Sequence, residues 1–543
     1  MRLTITKRSR TSPILLSRVL ACAMLIADAA CRAEEAAQAE QPAATFDLME
    51  LRVKGNTTLD KQTIEKVVYP FLGNQKTINT IEQARAALEN LYHSKGYQTI
   101  AVDIPEQNVE RGLVYLQVAE GKVSRLRVTN SRYFSLGAIK EKVPELAEGG
   151  VPNMPVMQQQ LAALAKESPD RTITPVLRAG DTPGTLEVDL QVKDQLPLHG
   201  KFELNGRNTS TTDRLRAIAS LHYDNLWQKL HSASIMYQTS PENFSQVDVV
   251  VGSYVMPVID ANKRLAMFVV NSSSNTVTNA GALAVVGAGT IYGLRFVDPI
   301  ITSVKNYYQT FTAGVSFKDF QQNLNGQSVG ALFQKTPISY LPFLLGYSGN
   351  YQGADAQFSF NVNANFSLRN IGNTESQFVN SRYNARSDYA YLNGGTNIKY
   401  NLPYGMSLEN RINGQVADMP LIPNEQFSMG GMLSVRGYYE TQVLADNGAQ
   451  TSLELYSPKI GVVDDAEYNK LRGLIFVDGG KGWLLNPVNG AQSEFNLLSA
   501  GSGFRMQLWK TLTANFDVAV PFTNQTRVEK GNPRIHFQVF TEF

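Results

Sequence analysis

The run DAQFSFNVNANFSLR, Asp355 to Arg369, alternates without a break. Ala356, Phe358, Phe360, Val362, Ala364, Phe366 and Leu368 fall on one side of an extended chain. Asp355, Gln357, Ser359, Asn361, Asn363, Asn365, Ser367 and Arg369 fall on the other. Successive side chains of a strand point to opposite faces, so this is a strand with one apolar face and one face rich in Asn, Gln and Ser. Similar strands are predicted at Leu215–Tyr223, at Thr310–Lys318 with Phe311, Ala313, Val315 and Phe317 on one side, at Ala390–Leu402 and at Thr513–Val520. The chain ends in the same pattern, with Ile535, Phe537, Val539 and Phe543 alternating with Arg534, His536, Gln538 and Glu542.

A soluble sandwich would also alternate. Two features favour a membrane barrel instead. The β pattern runs on for about 345 residues beyond Pro197, and its polar faces carry few Lys and Glu, as suits a hydrated lumen. Strands that cross a bilayer must close on themselves so that no edge meets lipid. At roughly 20–24 residues per strand and connection, that length holds about 14–17 strands, and bacterial barrels favour even numbers.

Upstream of Pro197 the period changes. Leu48–Lys54 reads as a strand turned by Gly55-Asn56, Asp60–Tyr69 and Thr80–Lys95 as helices, and Gln98–Ile104 and Gly112–Glu120 as strands. Ile81, Ala84, Leu88 and Leu91 share one helical face, and Gly96 is placed to cap it. The order β-α-α-β-β then recurs as Lys122–Thr129, Leu136–Val143, Pro155–Ser168, Thr172–Arg178 and Thr185–Lys193. Two tandem α+β units are therefore expected, at 46–120 and 121–196, ahead of a barrel at 197–543. Each should expose a strand edge, a place for an extended polypeptide to pair.

Arg2, Lys7, Arg8 and Arg10 precede an apolar stretch, Ile14 to Ala30, interrupted by Arg18 and ending in small residues. That is the layout of a secretory signal over 1–33, with cleavage after Ala29 or Ala33. Cys22 and Cys31 lie in or beside it, so the mature chain is expected to hold no internal disulfide. A lipid anchor on Cys31 is disfavoured by Asp28, which stands where an apolar residue is expected. Residues 34–45 form a short Ala/Glu/Gln segment.

With 543 residues, a formal net charge of +2 and 18% charged residues, the chain lacks the basic excess of a nucleic-acid binder. No apolar run after the N-terminus is long enough for a spanning helix. His93, His199, His222, His231 and His536 show no metal-ligand spacing along the chain, and no phosphate loop, zinc-protease or nucleophile-elbow motif occurs. No enzyme, cofactor or metal is expected. Asp464-Asp465 reads as a solvated loop.

Two segments stand out. Phe427 to Tyr438 (FSMGGMLSVRGY) is a Gly-flanked loop with a single arginine, Arg436, among apolar neighbours. Gly473 to Gly480 (GLIFVDGG) is a strand that puts Phe476 and Asp478 on one face. If that face lines the lumen, Asp478 needs a cation, because an unpaired ionisable group there is costly. The alternative for Arg436 is an ordinary solvated loop arginine.

Val435-Arg436-Gly437-Tyr438 resembles the VRGY signature, and Phe476-Val477-Asp478 the F-x-D signature, of the superfamily that includes BamA and two-partner secretion transporters such as FhaC and ShlB. The two α+β units look like POTRA domains, Pro197-Leu198-His199 stands at the barrel mouth, and the terminal strand ends in Phe543, the barrel's C-terminal signal. Two such units favour the secretion branch over BamA- or TamA-like assembly or insertion factors, the alternative function; a plain diffusion porin is a third.

The resemblance implies a transmembrane β-barrel of sixteen antiparallel strands preceded by two periplasmic POTRA domains, in a Gram-negative outer membrane. It further implies a long extracellular loop, here about 425–440, that folds back into the lumen and pairs Arg436 with Asp478. The charge argument agrees, since opposite charges in one lumen should meet, and Gly430, Gly431 and Gly437 would let the loop turn. The implied function is export of a haemolysin- or adhesin-type exoprotein, recognised through its N-terminal secretion domain. Outer-membrane lipids, the barrel assembly machinery and periplasmic chaperones are the other implied partners. Family members often carry an N-terminal plug helix. Only twelve residues separate Ala33 from Phe46, a helix of about 18 Å, so no full plug is expected.

Overall fold

The computed structural model describes residues 45–543 apart from 110, 183, 260–261, 274–277, 281–282, 286–287, 324–334 and 462–469. The expected signal, both cysteines, nearly all of the 34–45 segment and Asp464-Asp465 lie outside the described residues. Two compact units result. One takes the described part of Met1–Thr129 with Ile139–Leu164 and Ile173–Val192; the other takes Asn130–Ala138, Ala165–Thr172 and Lys193–Phe543.

Upstream of the barrel wall in the chain, two three-stranded sheets share one design. Leu113–Ala119 is central, parallel to Glu50–Lys54 and antiparallel to Ala101–Asp103. Thr185–Asp194 is central in the second, parallel to Lys122–Thr129 and flanked by Arg171–Ala179. A parallel pair needs a long crossover, and helices supply it in each repeat: Lys61–Val68 and Ile78–Ser94, then Leu136–Glu141 and Met154–Lys166. Asp60 caps the first helix by accepting from the Thr63 backbone at 2.9 Å. Ile78–Ser94 buries Ile81, Ala84, Leu88 and Tyr92. Leu91 packs half-buried against the same core, and Tyr92 joins it with its hydroxyl donating to Asn56 Oδ1 at 2.7 Å. Gly96 follows at φ 97°, the left-handed turn that ends a helix.

A carboxylate at the end of each repeat's last strand closes the turn after its first strand. Glu120 accepts from the backbone N–H and hydroxyl of both Thr57 and Thr58. Asp194 accepts from the N–H groups of Arg132 (2.8 Å) and Tyr133 (2.7 Å) and from the Ser131 hydroxyl (3.1 Å). Burial pushes both carboxyls up, but these donors outweigh it and hold each below its ordinary value.

The second unit is a closed antiparallel barrel. Its wall comprises eighteen strand segments, two of which continue their predecessors end to end, leaving sixteen positions. Both interruptions fall at a proline, Pro342 between Lys335–Tyr340 and Phe343–Gln352, and Pro458 between Asn447–Tyr456 and Ile460–Gly461. Proline has no N–H to give the ladder. The wall closes where Arg534–Glu542 pairs with Leu198–Asn205.

Alternation places the two faces as expected. Phe202, Leu221, Leu392, Val416 and Ile475 are exposed on the outside, the face that meets lipid. Asn361, Asn363, Asn393 and Gln415 line a polar cavity of about 490 Å³ inside. The Asp355–Arg369 run forms the strand Ala356–Phe366. No described helix is long and apolar enough to cross a membrane.

Candidate functional site: the loop latch inside the barrel

Between the wall strands Ser407–Ala417 and Asn447–Tyr456 the chain makes an inward excursion longer than the expected 425–440. Its base is a small hairpin, Phe427–Met429 against Val443–Ala445, too short to register in the sequence pattern. Gly430 (φ 101°) follows, and a side chain there would meet the Tyr439 carbonyl at 2.6 Å. Asp446 fixes the base by ion-pairing with Arg382 and accepting from the Leu421 and Leu485 backbone N–H groups at 2.9 and 2.7 Å. On the same excursion, Glu425 ion-pairs with Lys318 and accepts from the Tyr340 and Tyr391 hydroxyls.

Arg436 sits at the tip, 1% exposed. Its Nε and Nη2 donate to the two oxygens of Asp478 at 2.7 and 2.8 Å, and its backbone N–H donates to the same carboxylate at 3.0 Å. That is fork-to-fork geometry with a third bond added. Nη2 also reaches Ser452 Oγ at 3.0 Å and Glu454 Oε1 at 2.8 Å, and Nη1 reaches Asp517 Oδ2 at 3.4 Å. The Phe476 ring lies under the guanidinium, 3.3 Å from its carbon to the ring centroid. Phe476 and Asp478 thus share the inner face, while Ile475 and Val477 face outward.

The expected one-to-one pair is therefore part of a larger network. Glu454 and Asp517 are also buried, and each has a second cation: Arg411 for Glu454 at 3.0 Å, and Arg505 for Asp517 at 2.7 and 2.9 Å. Three carboxylates and three guanidinium groups neutralise one another, Arg436 from the loop and the other five from five neighbouring strands. Glycines in the wall make room for them. A side chain at Gly501 would strike the Phe476 ring at 2.5 Å, and one at Gly503 would strike the Asp517 carboxylate at 2.0 Å.

The rest of the motif fastens the tip. Val435 and Tyr438 are buried in an apolar cluster with Met429, Val443 and Leu497. The Gly437 N–H donates to His536 Nε2 at 2.9 Å, and the Tyr438 hydroxyl donates to the Leu498 carbonyl at 2.9 Å. Glu440, next in line, accepts from Arg207 and from the Met432 N–H. Gly431, beside Gly430, turns at φ 109° against Glu440. The loop thereby touches the last strand of the wall and the segment that follows the first. Phe543 is not part of this cluster. It exchanges backbone hydrogen bonds with Gly200 at 3.0 and 3.1 Å, and its ring occupies the space a Gly200 side chain would need.

Glu454, Asp517, Arg505, Arg411 and His536 were not singled out by sequence reasoning. Their signal was a charged or polar side chain on the inner face of an alternating strand, which many lumen residues share. One expectation needs correcting. The histidines are not all scattered, because the first hairpin register sets His199 opposite His222, a pairing that linear spacing does not show.

A closed sixteen-strand barrel with a loop held inside it by a buried charge network, and with α+β repeats before it, defines a POTRA-barrel of the outer membrane. Residues 46–121 match the POTRA domain, ShlB-type, and residues 184–506 match the family described as haemolysin secretion/activation protein ShlB/FhaC/HecB. An outer membrane transporter CdiB of Dickeya dadantii (strain 3937) is 21% identical over 421 residues, 76% of this chain and 72% of the relative. Among solved structures, CdiB from Escherichia coli aligns with a TM-score of 0.58 at 15% identity, covering 93% of this chain and 92% of that one. BamA from Haemophilus ducreyi lacking POTRA domains 1–3 aligns at 0.57 and 15% identity, covering 92% of this chain and all of that one, a likeness of fold. The chain belongs to the haemolysin secretion/activation protein ShlB/FhaC/HecB family. It is an outer-membrane transporter of two-partner secretion, with its POTRA region in the periplasm.

Proposed function

We propose that the protein exports a haemolysin- or adhesin-type exoprotein, and that the Arg436 network holds the loop in the lumen as a latch on the conducting path. The observation that carries this reading is a fully buried arginine on a loop, bonded to carboxylates of three separate wall strands. Only a docked loop satisfies all of those charges at once. Polar cavities of about 290 and 490 Å³ flank the loop, so hydrated space borders the latch on the wall side.

On this reading Val435, Gly437 and Tyr438 seat the tip, Phe476 and Asp478 receive it, and Gly430 and Gly431 turn the chain into the pore. Phe543 serves insertion by the barrel assembly machinery after escort by periplasmic chaperones, and the apolar outer face contacts outer-membrane lipids. The free edges of the two repeats capture the exoprotein's N-terminal secretion domain by adding a strand. Without a nucleotide-binding motif in the chain, folding of the cargo outside the cell drives transport.

Co-expression with the product of the adjacent gene, expected to be the exoprotein, tests the reading. Cargo should reach the medium or the cell surface only when the transporter is present. Equal release without it would overturn the assignment. An unfoldable cargo should stall, and undiminished export of that cargo would refute folding as the driving force.

A further inference from the structure

We propose that the rim of the barrel carries a binding site for a zinc-class divalent cation, built from His199, His222, Asp224 and Asp170. His199 opens the first wall strand, and His222 lies directly opposite it on Arg216–Leu226, with Asp224 two residues further along the same face. The two imidazoles stack with centroids 4.8 Å apart and planes 27° from parallel. One ligand atom from each of His199, His222 and Asp224 falls within a common 4.8 Å. Asp170 belongs to the 165–172 segment that packs as part of the barrel's own unit, and its side chain is fully buried.

The distances have the form of a coordination shell. His222 Nε2 lies 3.3 Å from Asp224 Oδ2, His199 Nε2 lies 3.9 Å from that same oxygen, and Asp170 Oδ1 lies 3.0 Å from His199 Nε2. Ligand atoms at ordinary zinc bond lengths occupy a tetrahedron with edges of about 3.3 Å. The three separations bracket that edge: two join His222 and His199 to Asp224, and the third joins Asp170 to His199. Two imidazoles and two carboxylates are a donor set suited to zinc rather than to magnesium or calcium, which prefer oxygen alone.

The site is also braced. The Asp224 N–H donates to the Pro197 carbonyl at 2.9 Å, locking the two strand ends together. The Gln195 amide holds Asp170 Oδ1 at 2.9 Å, orienting the fourth ligand. A bound cation would tie the start of the first strand to the end of the second, beside the seam where the barrel closes.

The test uses the full-length transporter, purified in detergent on a histidine-free tag, stripped with chelator and titrated with zinc chloride by calorimetry. One equivalent should bind, and it should raise the unfolding temperature. Both effects should vanish in Asp224→Ala and in the His199→Ala/His222→Ala pair, whose closed barrels are verified by heat-modifiable gel mobility. Cobalt(II) added to the wild type gives a second readout, the intense visible bands of a tetrahedral site. Absence of stoichiometric zinc binding, absence of those bands, or binding that survives the substitutions would each overturn the proposal.

Discussion

The repeats and the barrel satisfy carboxylates in opposite ways. Glu120 and Asp194 are hydrogen-bonded by neutral donors of their own repeat, hydroxyls and backbone N–H groups of one turn, and the cation near Glu120, Lys122, stands off at 3.9 Å. Asp478, Glu454 and Asp517 are satisfied by guanidinium groups, one of which arrives on a loop. A neutral cap stabilises an architecture that has no reason to change. A charge network is expensive to leave half made, because removing one partner leaves the others buried without it. It therefore favours a loop that is either fully docked or fully withdrawn, as the proposed latch requires.

The sharpest way to break this comparison is Arg436→Ala. Removing a buried ion-pair partner costs about 3–5 kcal/mol, so the loop should become protease-accessible and export should fall, while barrel abundance and heat-modifiable mobility hold. Asp478→Asn should do less, since Glu454 and Asp517 still face Arg436. Equal losses in the two variants would reduce the network to a simple pair. Export and proteolysis measured side by side decide between the two.

A smaller effect is expected from Gly501→Ala. The new methyl meets the Phe476 ring and the Val518 carbonyl, and overpacking of this kind costs about 1–3 kcal/mol. Phe476→Leu in the same background removes the obstructing ring and should recover part of the loss, less the cation–π contribution of about 0.5–2 kcal/mol. Thermal unfolding of the two single variants and the double variant reads the coupling. Strict additivity would show that the wall glycine does not exist to admit the ring.

The contrast also explains which parts of the molecule were legible in the sequence. The wall strands were visible because lipid and lumen impose opposite polarities on alternate residues, as in Ala356–Phe366, and that constraint is local. The repeats were visible because helix and strand periods switch in the same order twice. The two strand breaks at Pro342 and Pro458 were not read, because a proline in an alternating run resembles a turn. Parallel pairing within each repeat, the opposition of His199 and His222, and the meeting of Glu454, Asp517 and Arg436 all depend on register between strands. Register follows from the whole closed sheet. Asp478 could be found because its motif is contiguous, whereas its companions Arg411, Glu454, Arg505 and Asp517 lie on four other strands.

The mildest test addresses the neutral caps through pH. The Glu120 and Asp194 carboxyls titrate below their ordinary values in the folded protein, so the unfolded chain binds protons more readily at these sites. Their contribution is then complete above the unfolded values, 4.5 and 3.8, and is lost as pH falls through the lower folded values. Hydrogen exchange in the full-length protein should show the N–H groups of Thr57, Thr58, Arg132 and Tyr133 losing protection over that acidic window, relative to amides of the central strands Leu113–Ala119 and Thr185–Asp194. Glu120→Gln should abolish the pH dependence at Thr57 and Thr58 while leaving that at Arg132 and Tyr133 untouched, because each cap acts only within its own repeat. If one substitution moved both turns, the caps would be coupled like the lumen charges, and the distinction between fixed repeats and a releasable latch would fail.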